Sequence, residues 1–238
     1  MTFAPTITRS AGRLRVLLVA AALLVTSAPA LAIEAFTADY QASYMGMQAT
    51  GKMTLAPEAG DRWRYTLAIS NSLANLRQST VFEDHKGQWR PVSSEDSSQV
   101  LVKRSAKNAA YDWNKGVATW GGDVKADRSG PIKLKAGDMD ALLINLAVIR
   151  DAAPGQTLHY RFVDDGRMRE HTYVVADELE SITVAGITYN AMKATRSKDN
   201  EDTVIWVVKN VPSPIRMLKR ESGKDVYALR LVEYKGVD

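Results

Sequence analysis

The stretch FTADYQASY, Phe36 to Tyr44, decides the fold. Phe36, Ala38, Tyr40, Ala42 and Tyr44 alternate with Thr37, Asp39, Gln41 and Ser43, a period of two. Successive side chains of an extended chain point to opposite faces, so this is a strand with one apolar face. The alternation returns in Trp63, Tyr65, Leu67 and Ile69 against Arg62, Arg64 and Thr66. Between them Ala49, Met53 and Leu55 share a side, and Pro57 to Asp61 is a turn by composition. Gly46 and Gly51 predict a bend or bulge of the kind that curls a sheet.

The remainder continues in the same way. Segments 79–83 and 88–93 flank His85-Lys86-Gly87, the composition of a hairpin. Segments 99–105, 109–114 and 117–120 read as strands, with breaks at Gly121-Gly122-Asp123 and Ser129-Gly130-Pro131. Segments 158–163 and 168–175 flank Asp164-Asp165-Gly166, the strongest hairpin signal in the chain. Strands at 181–184, 187–196, 203–209, 215–220 and 226–234 follow, the last two linked by Ser222-Gly223-Lys224. One helix interrupts the series over 138–150. Met139, Leu142, Leu143, Leu146 and Ile149 recur at helical spacing, Asp138 is placed to cap it, and Pro154-Gly155 ends it. A lone apolar stripe must be buried against a sheet, as a lid or plug. The expected class is mainly β: one curved antiparallel sheet or open barrel with a single amphipathic helix packed on it. No repeat, low-complexity tract or Pro/Gly/Ser-rich linker divides residues 33–238, which read as one β-rich domain.

The first 32 residues read differently. Arg9, Arg13 and Arg15 precede an apolar run over 16–25, then Thr26-Ser27-Ala28-Pro29 and the small-x-small exit Ala30-Leu31-Ala32. This is the layout of a secretory signal, cleaved after Ala32. Its core falls short of the about 20 apolar residues a membrane span needs, so no transmembrane anchor is expected. Leu14 separates Arg13 from Arg15, and Ile33 rather than Cys follows Ala32, so the general secretory route and an unlipidated product are expected. The expected destination is the periplasm.

The whole chain carries 31 Lys and Arg against 27 Asp and Glu. The leader removes three arginines and no acid, leaving 28 against 27, a net of +1. A basic stripe is the footprint of a nucleic-acid binder, and none remains. There is no cysteine, so neither disulfides nor thiolate metal sites are available. Stability must come from packing, which a chain of this length supplies by burying roughly 70% of its unfolded surface.

Several pieces together resemble an exported bacterial family known as domain of unknown function 3108. They are Tyr40-x-x-x-Tyr44-x-Gly46, Gly87-Gln88-Trp89-Arg90-Pro91 and the helix over 138–150. Ala185-Gly186-Ile187 ahead of the strand 188–196 is another, as is Trp206 followed by Val211-Pro212-Ser213-Pro214-Ile215-Arg216. The chain departs from the family pattern at Asp140-Ala141-Leu142-Leu143, where the helix more often opens with a Ser after a Leu. The resemblance implies a β-rich envelope protein, its sheet curled in a manner similar to the periplasmic lipoprotein carriers. It implies no catalytic residues.

The residues themselves point away from catalysis. Of the three histidines, His85 sits at a turn. His159 and His171 lie on opposite arms of the Asp164-Asp165-Gly166 hairpin. A two-residue turn sets His171 opposite Tyr160 and sends the imidazoles to opposite faces, whereas a three-residue turn pairs them for a metal. No G-x-S-x-G elbow surrounds Ser70, Ser72 or Ser79. Glu95-Asp96, Asp164-Asp165 and Asp199-Asn200-Glu201-Asp202 look like loop acids, and the last lacks the spaced ligands and Gly of an EF-hand. Neither a catalytic residue, a metal nor a cofactor is expected.

The aromatics carry the positive expectation. Tyr40, Tyr44, Trp63, Tyr65 and Trp206 fall in strands, and Leu142 and Leu146 on the helix. These seven are the candidate ligand-binding residues, lining a cavity for a lipid or acyl chain between sheet and helix. The competing reading is that they simply fill the core. A non-catalytic carrier of an apolar small molecule is the functional expectation. The alternative is an envelope structural or assembly factor that docks on another exported protein through a sheet edge.

Overall fold

The computed structural model describes residue 1 and residues 33–236. The expected signal sequence beyond Met1, with its cleavage site, lies outside the described residues. Seven antiparallel strands come first: β1 (Phe36–Tyr44), β2 (Met47–Glu58), β3 (Arg62–Ser70), β4 (Ala74–His85), β5 (Gln88–Val100), β6 (Lys103–Asp112) and β7 (Val117–Gly122). A single 3-10 turn (Ala126–Arg128) leads to the short β8 (Ile132–Lys133) and β9 (Asp138–Met139), then to helix α1 (Ala141–Asp151). The second series is β10 (Thr157–Asp164), β11 (Arg167–Val175), β12 (Glu180–Val184), β13 (Ile187–Lys198), β14 (Glu201–Val207), β15 (Arg216–Glu221) and β16 (Lys224–Gly236). All belong to one open sheet of 16 strands, ordered β8-β7-β6-β5-β4-β3-β2-β1-β16-β15-β14-β13-β11-β10-β9, with β12 paired on β13. The chain's last strand pairs with its first, Tyr44 opposite Tyr227. Among the described residues no helix is long and apolar enough to cross a membrane.

The opening alternation faces inward as read. Phe36, Ala38, Tyr40 and Ala42 are buried and Tyr44 is half-buried. The bulges, however, fall at Asp39/Tyr40, Val81/Phe82 and Lys219/Arg220 rather than at the two glycines. Gly46 forms the Met45-Gly46 turn, and Gly51 sits in an unbroken ladder. A methyl on Gly51 would approach Leu229 Cδ2 to 2.9 Å and Tyr40 Cβ to 3.1 Å, so glycine there makes room for neighbouring side chains. The expected strand over 99–105 is also corrected: a turn at Leu101-Val102 splits it between β5 and β6.

Helix α1 is buried nearly all round, through Leu142, Leu143, Ile144, Leu146, Ala147 and Val148, as a helix inside a core must be. It packs against β3, β4, β10 and β14, so it touches both halves of the curled sheet. Its cap is Asp140 rather than Asp138: Asp140 Oδ1 accepts from the Leu143 N–H at 2.8 Å, and Oδ2 accepts from the Thr80 hydroxyl at 2.6 Å. Asp138 instead pairs with Arg161 at 2.5 Å and accepts from the Lys135 N–H.

The backbone ladder stays open between β8 and β9, and side chains span the remaining seam. Tyr111 on β6 donates to the Val163 carbonyl at 3.1 Å. Asp165, in the β10–β11 turn, binds Lys107 at 3.3 Å and pairs with Arg128. Val163 packs with Ala109, Tyr111, Ala118, Trp120 and Leu134 in a second apolar cluster. The antiparallel order sorts the connections into two ends. Turns 45–46, 71–73, 101–102, 165–166, 199–200 and 222–223 share one end. Ile33, the C-terminus of α1 and the loop 208–215 share the other.

Candidate ligand cavity

The C-terminal half of α1 does not fill the end of the sheet where it finishes. A cavity of about 620 Å³ remains there, between α1, β2, β5, β13 and the loop after β14. Its wall is mainly apolar: Leu55, Leu146, Ile149, Met192, Val208 and Val211. Each of these follows from a local pattern. Leu55 is on the inner face of β2 opposite Tyr65, Leu146 and Ile149 belong to the helical stripe, and Met192 faces inward opposite Val207.

Five polar residues join this wall. Glu34, Arg150, Asn190, Lys209 and Asn210 border the cavity. Arg150 is fixed from two sides: its Nε and Nη2 donate to Asp151 at 2.5 and 2.9 Å, and its guanidinium lies 4.3 Å from the Trp89 ring centroid. Trp89 is itself part of the wall. The Tyr160 hydroxyl completes the arrangement, donating to Asp151 at 3.0 Å. Burial and the adjacent Asp151 carboxylate push the Tyr160 phenol well up, so it stays a donor. A mainly apolar cavity of this size with a few fixed polar groups has the make-up of a small-molecule site.

Of the seven residues singled out from the sequence, Leu146 lines this cavity. Tyr40 and Tyr65 are buried inside the curled sheet, with hydroxyls on the Pro214 carbonyl at 2.8 Å and the Met53 sulfur at 3.3 Å. Leu142 is buried on α1 one turn before the cavity. Tyr44 and Trp63 are half-buried and packed on the core. Trp206 lies on the face of β14 opposite to Ile205 and Val207, its indole N–H bonded to Glu180 at 2.6 Å. Sequence reasoning missed Met192, Val208 and Arg150, although Ile149 and Leu55 sat within patterns it had read.

The histidines follow the two-residue turn. Tyr160 pairs with His171 and His159 with Thr172, so the two imidazoles occupy opposite faces. His171 stacks on Phe162, ring centroids 4.3 Å apart.

The family model described as "Protein of unknown function (DUF3108)" matches residues 39–224. The chain belongs to that family. No curated protein matches it. Among solved structures, the DUF3108 chain is similar to a β-barrel-like protein of the DUF1849 family from Brucella abortus. That likeness has 12% identity and a TM-score of 0.42, and covers 86% of this chain and 98% of that one. It is similar also to the MucA/MucB complex structure from Pseudomonas aeruginosa, at 11% identity and a TM-score of 0.39, covering 86% of this chain and 52% of that one.

Proposed function

We propose that this DUF3108 protein is an exported, non-catalytic binder or carrier of an amphiphile, acting from residues 33–238 in the periplasm. The ligand's hydrocarbon chain occupies the cavity beside Leu146 and Ile149, and its anionic head meets Arg150 and Lys209. The cavity carries this reading: about 620 Å³ of largely apolar space at the end of a buried helix. Burial supplies about 0.8 kcal/mol per methylene, so about ten methylenes offset the cost of association with enough left for useful affinity. Arg150 is already immobilised over Trp89, which reduces the ordering cost of using it.

Mass spectrometry of an organic extract of the protein, purified without detergent from its own envelope, is expected to show a stoichiometric acyl species. Ile149→Trp fills the space from a half-buried wall position. It is expected to lower affinity for a fluorescent fatty-acid probe by about ten-fold or more while unfolding at nearly the wild-type temperature. A clean extract together with equal probe affinity in the two proteins would sink the proposal.

A further inference from the structure

At the end of the sheet opposite the cavity, three neighbouring hairpins carry bare apolar tips. Val102 is 95% exposed and Leu101 61%, in the β5–β6 turn. Leu73, in the β3–β4 turn, touches them directly, its carbonyl accepting from the Leu101 N–H at 2.7 Å. Met45, 65% exposed, crowns the β1–β2 turn, with Met47 beside it.

These tips break two rules at once. Leu101 and Met45 hold left-handed backbone, with φ of 53° and 50°, where Asn, Asp or Gly fits at lower cost. Polar turn residues would also keep the tips soluble. Such paired violations are expected where a surface does something other than fold.

The charge pattern names the occupant. Segments 44–48, 70–75 and 98–105 contain no acid, and the exposed Lys103 and Arg104 stand directly behind Val102. Acids of this end lie on the turns of β13–β16, at Asp199, Glu201, Asp202, Glu221 and Asp225, and on the β10–β11 turn, at Asp164 and Asp165; Asp225, next to the residue that accepts from the Met45 N–H, is paired with Arg220, and Asp165 with Lys107 and Arg128. Apolar tips with cations one residue behind match the layering of a bilayer, where hydrocarbon lies beneath anionic headgroups.

We propose that the three hairpin tips dock this protein peripherally on an anionic lipid surface. Leu73, Leu101, Val102 and Met45 enter the acyl boundary, and Lys103 and Arg104 meet headgroup phosphates. The molecule tilts so that its acidic turns stay away from the membrane. The cavity then lies at the end away from the surface.

The test is co-sedimentation of the envelope-purified protein with vesicles of phosphatidylglycerol and phosphatidylcholine, against phosphatidylcholine alone. Wild type is expected to partition about ten-fold more strongly to the anionic vesicles, and less so as salt rises. The double variant Leu101→Ser, Val102→Ser is expected to lose about ten-fold in partitioning, and Lys103→Gln, Arg104→Gln to lose the salt dependence. Leu73→Ser provides a second apolar site should the double variant fold poorly. Ile149→Trp is expected to bind vesicles as wild type does, which separates this surface from the cavity. Absence of wild-type binding, indifference to the tip variants, or tips that instead join two copies of the chain in lipid-free solution would overturn the proposal.

Discussion

Asp140→Asn is expected to make the protein more stable than wild type at pH 8 by about 2–4 kcal/mol, with the difference vanishing near pH 4. Burial pushes the Asp140 carboxyl from its ordinary 3.8 up to about 7, against the hydrogen bonds from Thr80 and the helix start that favour the charged form. The folded state therefore binds a proton that the unfolded state releases between those values. Stability from this group falls as pH rises through that window and is constant above it. Asparagine keeps the Oδ1 that caps Leu143 and presents a neutral amide to Thr80, so it removes the titration and preserves the cap. His171 acts in the opposite sense: burial and the nearby Arg196, Arg169 and Lys198 hold it down to about 4, from 6.5. Its contribution rises across an overlapping window, which partly masks that of Asp140 in the wild-type profile. The wild-type-minus-variant difference isolates Asp140, and urea unfolding at several pH values measures it. Asp140→Ala is the control, since losing the cap and orphaning the Thr80 hydroxyl costs about 2–4 kcal/mol even at pH 5. An Asn variant that tracks wild type at pH 8 would show that Asp140 is solvated in the folded state.

What the sequence made legible is set by periodicity. Phe36 to Tyr44 and Trp63 to Ile69 alternate because one face is core and the other solvent, and each was readable without a structure. The eight residues from Ser93 to Val100 were only partly readable, for a physical reason. Ser94, Asp96 and Ser98 share one face, where the exposed Asp96 stands between Gln78 and Lys107 and Ser98 between Leu76 and Ser105, so a real strand lacks alternation. The helix start was misplaced by two residues because Asp138 and Asp140 are both plausible caps, and only the position of Arg161 settles which carboxylate is taken.

The cavity was the least legible feature. Leu55, Met192 and Val208 have the composition of core residues, and nothing in a sequence marks the point at which a helix stops short of filling the space around it. Aromatic strand residues were the natural candidates, yet large rigid rings such as Tyr65 and Phe36 are what a curled sheet needs to fill its own centre. The void is left where medium-sized side chains from the helix C-terminus and the 208–212 loop meet.

Gly166→Ala is expected to cost about 3 kcal/mol or more, and Gly186→Ala only about 1 kcal/mol, though both glycines close two-residue turns of the same shape. Asp165-Gly166 has φ of 49° and 63°, and Ala185-Gly186 has 48° and 83°. The backbone penalty for a side chain is therefore shared. The surroundings differ: a methyl on Gly186 meets nothing within 4 Å, whereas one on Gly166 collides with the Arg128 backbone carbonyl. A carbonyl cannot swing aside as a flexible side-chain end can, so the 3-10 turn must retreat. Retreat pulls Arg128 from Asp165 and loosens the contact that Lys107 and Tyr111 make across the seam. Because the sheet is open between β8 and β9, no backbone ladder compensates for these losses. At about 2–4 °C per kcal/mol for a chain of this size, the unfolding midpoint should drop by about 6–12 °C for Gly166→Ala and by about 2–4 °C for Gly186→Ala. Equal drops would mean that the seam adds nothing beyond the turn itself, and that the two edges of the sheet are held together only by the helix between them.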